Sequence, residues 1–168
     1  MSAESPVRVL VAGVGDVLSG DDGFGVEVAR RLAGRAPRAG VRVAEFGIRS
    51  FDLSFALLDG CDVAILVDAT QRGGPPGSLY VLEPSLAGAA AAPAVGSHSL
   101  EPASVLAYVR ALGGRVGSVR VVGCEPLSLG DPDAPSMGLS PEVAAAIEPA
   151  CDLVERLCDA ALRGDLDA

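Results

Sequence analysis

The stretch Arg8 to Leu32, R-V-L-V-A-G-V-G-D-V-L-S-G-D-D-G-F-G-V-E-V-A-R-R-L, decides how the rest of the chain is read. Val9, Leu10, Val11 and Ala12 form an apolar run of strand type, and Gly13 and Gly15 follow at once. Asp16 then sits in a short loop, and the acidic pair Asp21 and Asp22 precedes a helical pattern from about Gly23 to Ala33. Glycines directly after a buried strand let the backbone turn sharply and approach another group, because no Cβ obstructs it. A dinucleotide is the first candidate for that group. In the fingerprint G-x-G-x-x-G the third glycine would fall at Leu18, and the two acids would put negative charge where a helix N-terminus should attract a pyrophosphate. The stretch therefore favours a cation over a phosphate. One Asp suffices to cap the helix, which leaves the second to be explained.

Outward from this stretch, the elements alternate. Val41 to Phe46 reads as a second strand, and Ser50 to Leu58 as a short helix offering Phe51, Leu53, Phe55, Leu57 and Leu58 to a core. Cys61 to Val67 is an apolar run that suits a strand buried on both faces, and it delivers Asp68 at its end. A turn, R-G-G-P-P-G, leads to a fourth strand over Ser78 to Leu82, and then to an Ala- and Gly-rich loop over Pro84 to Gly96. Ser99 is set to cap a helix through Leu112, with Leu100, Val105, Leu106, Val109 and Leu112 inward. Val116 to Val122 is a fifth strand. Gly123 to Gly138 is expected to be a surface segment, and Ser140-Pro141-Glu142 starts a last helix that Pro149 should kink. Alternating strands and helices predict one α/β domain over residues 1–168, a three-layer α/β/α sandwich with a mainly parallel sheet of about five strands.

Composition narrows the function classes. The net charge is −9 and all thirteen basic residues are Arg, which argues against nucleic acid or an anionic membrane as the main partner. The N-terminus has no basic region followed by an apolar core, and no apolar run suits a membrane span, so a cytoplasmic protein is expected. Aromatic residues are only 4% of the chain and no heptad repeat is visible, which predicts a monomer. Cys61, Cys124, Cys151 and Cys158 show no C-x-x-C spacing; Cys151 and Cys158 read as small core residues, and Cys124 lies in a loop-prone G-C-E-P segment.

In such folds ligands gather at the carboxyl ends of the strands. Asp22 follows the first strand, Asp68 ends the third, and His98, the single histidine, lies in the loop after the fourth. Asp68 either caps a loop or faces a cleft. His98 is either an incidental polar residue or a ligand, its ring flanked by Ser97 and Ser99. Two carboxylates and an imidazole would make a mixed oxygen and nitrogen set for a divalent ion, with nickel, zinc and copper all compatible. There is no H-E-x-x-H or G-x-S-x-G motif.

The segments G-V-G-D-V-L-S-G-D-D-G-F-G-V-E-V-A-R-R-L, I-L-V-D-A-T, G-S-H-S-L, C-E-P-L-S-L and M-G-L-S-P-E-V together resemble the hydrogenase maturation endopeptidases, over nearly the whole chain and in the expected order. The resemblance implies an aspartic-type endopeptidase that removes the C-terminal extension of a nickel-iron hydrogenase large-subunit precursor. It also implies a nickel site formed by Asp22, Asp68 and His98, with the nickel presented by the substrate and no permanent metal in the protease. Asp16 stands where many members have Asn, and Asp22 where some have Glu. Asp16 or Asp22 could act as a general base. Two other readings stand beside this one: a non-catalytic nickel-sensing maturation chaperone that uses the same three residues, and a Rossmann-like nucleotide or cofactor enzyme, which the missing glycine and the acidic pair oppose.

Overall fold

The computed structural model describes residues 7–84 and 102–166. His98, the Ser99 cap, Leu100 and all of the Pro84 to Gly96 loop beyond its first residue lie outside them. The chain runs β1 (Val9–Val14), a 3-10 turn (Gly20–Gly23), α1 (Phe24–Ala33), β2 (Val41–Gly47), α2 (Ser50–Leu58), β3 (Val63–Ala69), β4 (Leu79–Leu82), α3 (Pro102–Ala111), β5 (Ser118–Cys124), α4 (Pro141–Ala144) and α5 (Ile147–Arg163). Five strands form one sheet in the order β2-β1-β3-β5-β4. All neighbours pair in parallel except β4, which lies antiparallel to β5 at the edge. The mainly parallel sheet expected from the alternation is present.

Successive side chains of a strand point to opposite faces, and the central strands are apolar on both. Val9, Val11, Val63, Ile65 and Val67 pack beneath α1 and α5, against Phe24, Val28, Cys151, Val154 and Cys158. Leu10, Ala12, Val14, Ala64 and Leu66 pack beneath α2 and α3, against Leu53, Leu57, Val105, Leu106 and Val109. The sheet is thus the middle of three layers. Across α1 and α5, Arg31, Arg35 and Arg38 meet Glu148, Asp152, Glu155 and Asp159 in a surface ladder. Among the described residues no helix is long and apolar enough to cross a membrane.

Several local expectations are corrected. Phe51 and Phe55 are exposed, at 60% and 57%, whereas Leu53 and Leu57 are buried. Residues two apart on a helix fall on nearly opposite sides, so the four could not all face the sheet; Phe51 instead packs edge-on against Tyr108 of α3. Leu112, just past the end of α3, is exposed. β5 runs through Cys124, and residues 123–126 are buried, so the surface segment begins only at Leu127. Pro149 does not kink a long helix. The helix breaks after Ala144 and restarts at Ile147, which puts Pro149 in a first turn, where its missing N–H costs little.

Candidate active site

The sheet's order reverses between β1 and β3: from β1 the chain goes outward to β2, then returns to the other side. The crevice at this reversal, outside the carboxyl ends of the strands, is where open α/β sheets bind ligands. Here the chain is threaded with no room to spare. A Cβ on Gly25 would strike the carbonyl oxygens of Val67 and Val14, so α1 lies directly against the ends of β3 and β1. Gly15 has a φ of 125°, a backbone that L side chains rarely adopt, and a Cβ there would strike the Asp22 carbonyl oxygen and lie 3.5 Å from Asp68 Oδ1. The glycines of the first loop thus serve close packing of the backbone around two carboxylates.

Asp22 and Asp68 meet at this point. Asp22 Oδ2 accepts a hydrogen bond from the Asp16 N–H at 2.8 Å, and Asp68 Oδ1 accepts one from the Ala69 N–H at 2.8 Å. Burial raises the Asp22 pKa, opposed in part by the Asp16 N–H and reinforced by the Asp16 charge. Asp68 is raised well above the usual carboxylate range, first by burial and then by the Asp22 charge. No cation among the described residues relieves either acid. Such a pair favours binding a positive ion or sharing a proton. Among the described residues, no group of three or more His, Cys, Asp or Glu side chains is assembled for a metal. Two of the three expected ligands are brought together; the third, His98, lies outside the described residues.

Neither Asp21 nor Asp22 caps α1, whose N-cap is Gly23, without a side-chain bond. Asp21 turns away from Asp22. It is 1% exposed, and its Oδ2 accepts hydrogen bonds from Leu127 N–H (2.9 Å), Ser128 N–H (3.0 Å) and the Ser140 hydroxyl (2.9 Å). Oδ1 accepts one from Ser140 N–H at 2.7 Å. Burial opposes ionisation, but these donors together hold the Asp21 pKa below its ordinary value. Ser140 therefore spends its hydroxyl on Asp21 rather than on capping α4. Asp16 is a turn former: Oδ1 accepts from Leu18 N–H at 2.9 Å and Oδ2 from the Ser19 hydroxyl at 3.0 Å.

A second buried acid was missed by sequence reasoning. Glu125, 6% exposed, follows β5 and accepts hydrogen bonds from Arg72 N–H (2.8 Å), Gly73 N–H (3.1 Å) and the Tyr80 hydroxyl (3.0 Å). It shapes the turn that leaves β3 beyond Asp68. Its position directly after a buried strand and before Pro126 was the available signal. The cysteines are not nucleophiles of this site, since burial pushes the Cys124 thiol up to about 12 and those of Cys151 and Cys158 up to about 11.

Comparison with known proteins agrees with this architecture. A family model described as "Hydrogenase maturation protease" matches residues 26–157. The chain is 32% identical over 153 residues to the "Hydrogenase expression/formation protein HupD" of Rhodobacter capsulatus, covering 88% of this chain and 70% of that protein. It is 31% identical over 150 residues to the "Hydrogenase 2 maturation protease" of Escherichia coli, covering 88% of each. Among solved structures, the hydrogenase maturating endopeptidase HybD from Escherichia coli superposes with a TM-score of 0.74 at 28% identity, covering 91% of this chain and 93% of that one. With a family match across most of its length and the same α/β fold, the chain belongs to the hydrogenase maturation protease family.

Proposed function

We propose that this protein is an endopeptidase that removes the C-terminal extension of a nickel-iron hydrogenase large-subunit precursor, in the cytoplasm, after nickel has been inserted. The observation that carries this reading is the Asp22 and Asp68 pair: two carboxylates with raised pKa values, without a cation partner among the described residues, at the strand reversal of a hydrogenase maturation protease fold. Nickel is borne by the substrate and read by Asp22, Asp68 and His98, so the precursor itself supplies the charge that the pair lacks. The donor set fits such an ion, since hard carboxylate oxygens and an imidazole suit a divalent first-row metal. Both carboxyl oxygens of Asp16 are engaged in its turn, which favours Asp22 as the group that takes a proton from the attacking water.

The test is mass spectrometry of a nickel-loaded precursor before and after incubation with the protein. Release of a C-terminal peptide is expected, and metal-free precursor should remain intact. His98→Ala, Asp68→Asn and Asp22→Asn should each stop processing in a folded protein, and double variants should resemble the singles, because loss of one ligand of three already leaves a poor site. Asp16→Asn should be tolerated. Normal processing by both His98→Ala and Asp68→Asn would refute the site. A chaperone that binds the precursor without cutting it would give association and no peptide.

A further inference from the structure

Asp21 and Asp22 are adjacent, yet they face different parts of the molecule. Both lie on the 3-10 turn Gly20–Gly23, where each residue advances the helix by about a third of a turn. Fixing the direction of one side chain therefore fixes the other. Asp21 is fixed by the four donors from Leu127, Ser128 and Ser140. The backbone completes the clamp: Asp21 N–H donates to Ser128 O at 3.0 Å, Gly20 N–H to Ser136 O at 3.0 Å, and Ser136 N–H to Leu18 O at 2.8 Å. A Cβ on Gly20 would lie 3.0 Å from Ser128 O, so the two segments touch along their main chains.

This is a costly arrangement for a loop. A buried carboxylate is stable only when donors replace its water, and here all of the named donors come from residues 127–140, a segment exposed from Leu127 to Gly138. An amide could not substitute for the acid. Every partner of Asp21 is a donor, and Asn would turn an NH2 group against one set of them.

We propose that Asp21 is a positioning residue for the processing reaction: by locking the turn onto residues 127–140, it holds the Asp22 carboxylate toward Asp68. This rests on the reading of Asp22 given above. Displacement of a catalytic group by about 1 Å costs on the order of 100-fold in rate, so a freed turn should be felt chiefly in kcat.

The experiment is a double-variant cycle in the full chain, with steady-state processing of the nickel-loaded precursor and a thermal melt of each variant. Asp21→Asn should lower kcat by about 100-fold in the folded fraction, with a much smaller change in KM. On the residual rate of the Asp22→Asn background, followed over long incubations at high enzyme concentration, it should cause no further loss, because Asp21 acts through Asp22. A loss that instead adds to that of Asp22→Asn marks a purely structural role and overturns the proposal, as does an unchanged kcat. If Asp21→Asn does not fold, Ser140→Ala removes one donor from the clamp and should lower kcat in the same direction, again with no further loss on Asp22→Asn; an unchanged kcat overturns the proposal. If Asp22→Asn processes normally, the reading of Asp22 fails and this proposal falls with it. If Asp22→Asn is inactive while folded Asp21→Asn is fully active, only this proposal fails.

Discussion

Replacing Asp68 by Asn should make the free protein more stable while abolishing its function. The Asp68 carboxylate is desolvated and faces the Asp22 charge, and among the described residues no cation offsets either effect. The hydrogen bond that Asp68 Oδ1 accepts from Ala69 N–H is one that the Asn carbonyl can keep, so the substitution removes charge without removing that contact. An inadequately partnered buried polar group costs about 1–3 kcal/mol, and Asp68, which is half-buried, falls within that range and not above it. In a chain of this size each kcal/mol moves Tm by about 2–4 °C; a rise on the order of 5 °C is expected. The pH dependence gives the sign independently. The folded-state pKa of Asp68 is raised, so its penalty is complete above that value and absent below the unfolded value of about 3.9. The Tm advantage of the variant should therefore be largest at about pH 7.5 and shrink as pH falls through the raised pKa, closing near about pH 4. Differential scanning calorimetry of both proteins across this range is the assay. A variant less stable than the parent at about pH 7.5, or an advantage that grows on acidification, would refute the account of the pair.

Other expected outcomes concern the surroundings of the pair. Glu125 shows the opposite sign, because the Arg72 N–H first, and then the Tyr80 hydroxyl and the Gly73 N–H, hold its pKa down. Its stabilisation is present above the unfolded value of about 4.3 and lost as pH falls through the lower folded value, so Glu125→Gln should reduce Tm at neutral pH and the gap should narrow in acid. Gly25→Ala forces a methyl against the Val67 and Val14 carbonyls and should lower stability by about 1–3 kcal/mol in urea denaturation. The protein should sediment as a monomer at low micromolar concentration; a stable dimer would contradict the expectation drawn from its sparse aromatics.

The central strands and the α1 helix were legible because their signals are local: apolar runs of strand length at Val9 and Val63, and helical spacing after Gly23. The meeting of Asp22 with Asp68 followed from strand order, once an alternating pattern implied a parallel sheet. The role of Asp21 was not legible, because its partners lie more than a hundred positions away at Leu127, Ser128 and Ser140. Local preference suggested a helix cap at Asp21 or Asp22 and at Ser140; the tertiary clamp took Asp21 and Ser140 instead. Phe51 and Phe55 misled for a different reason. Hydrophobic character does not say which side of a helix meets the sheet, and the spacing of Leu53 and Leu57 was the better guide.

The segment following β5 is secured through its backbone and by one distant carboxylate, while its side chains from Leu127 to Gly138 stand in solvent. Apart from Gly130, whose backbone lies against Ser19, and the turn acceptors Ser128 and Asp131, its residue identities are little tied to folding and can change at small cost to the scaffold. Changes there would leave the clamp on Asp21 in place, so this segment is where the surface beside the first loop can vary most freely.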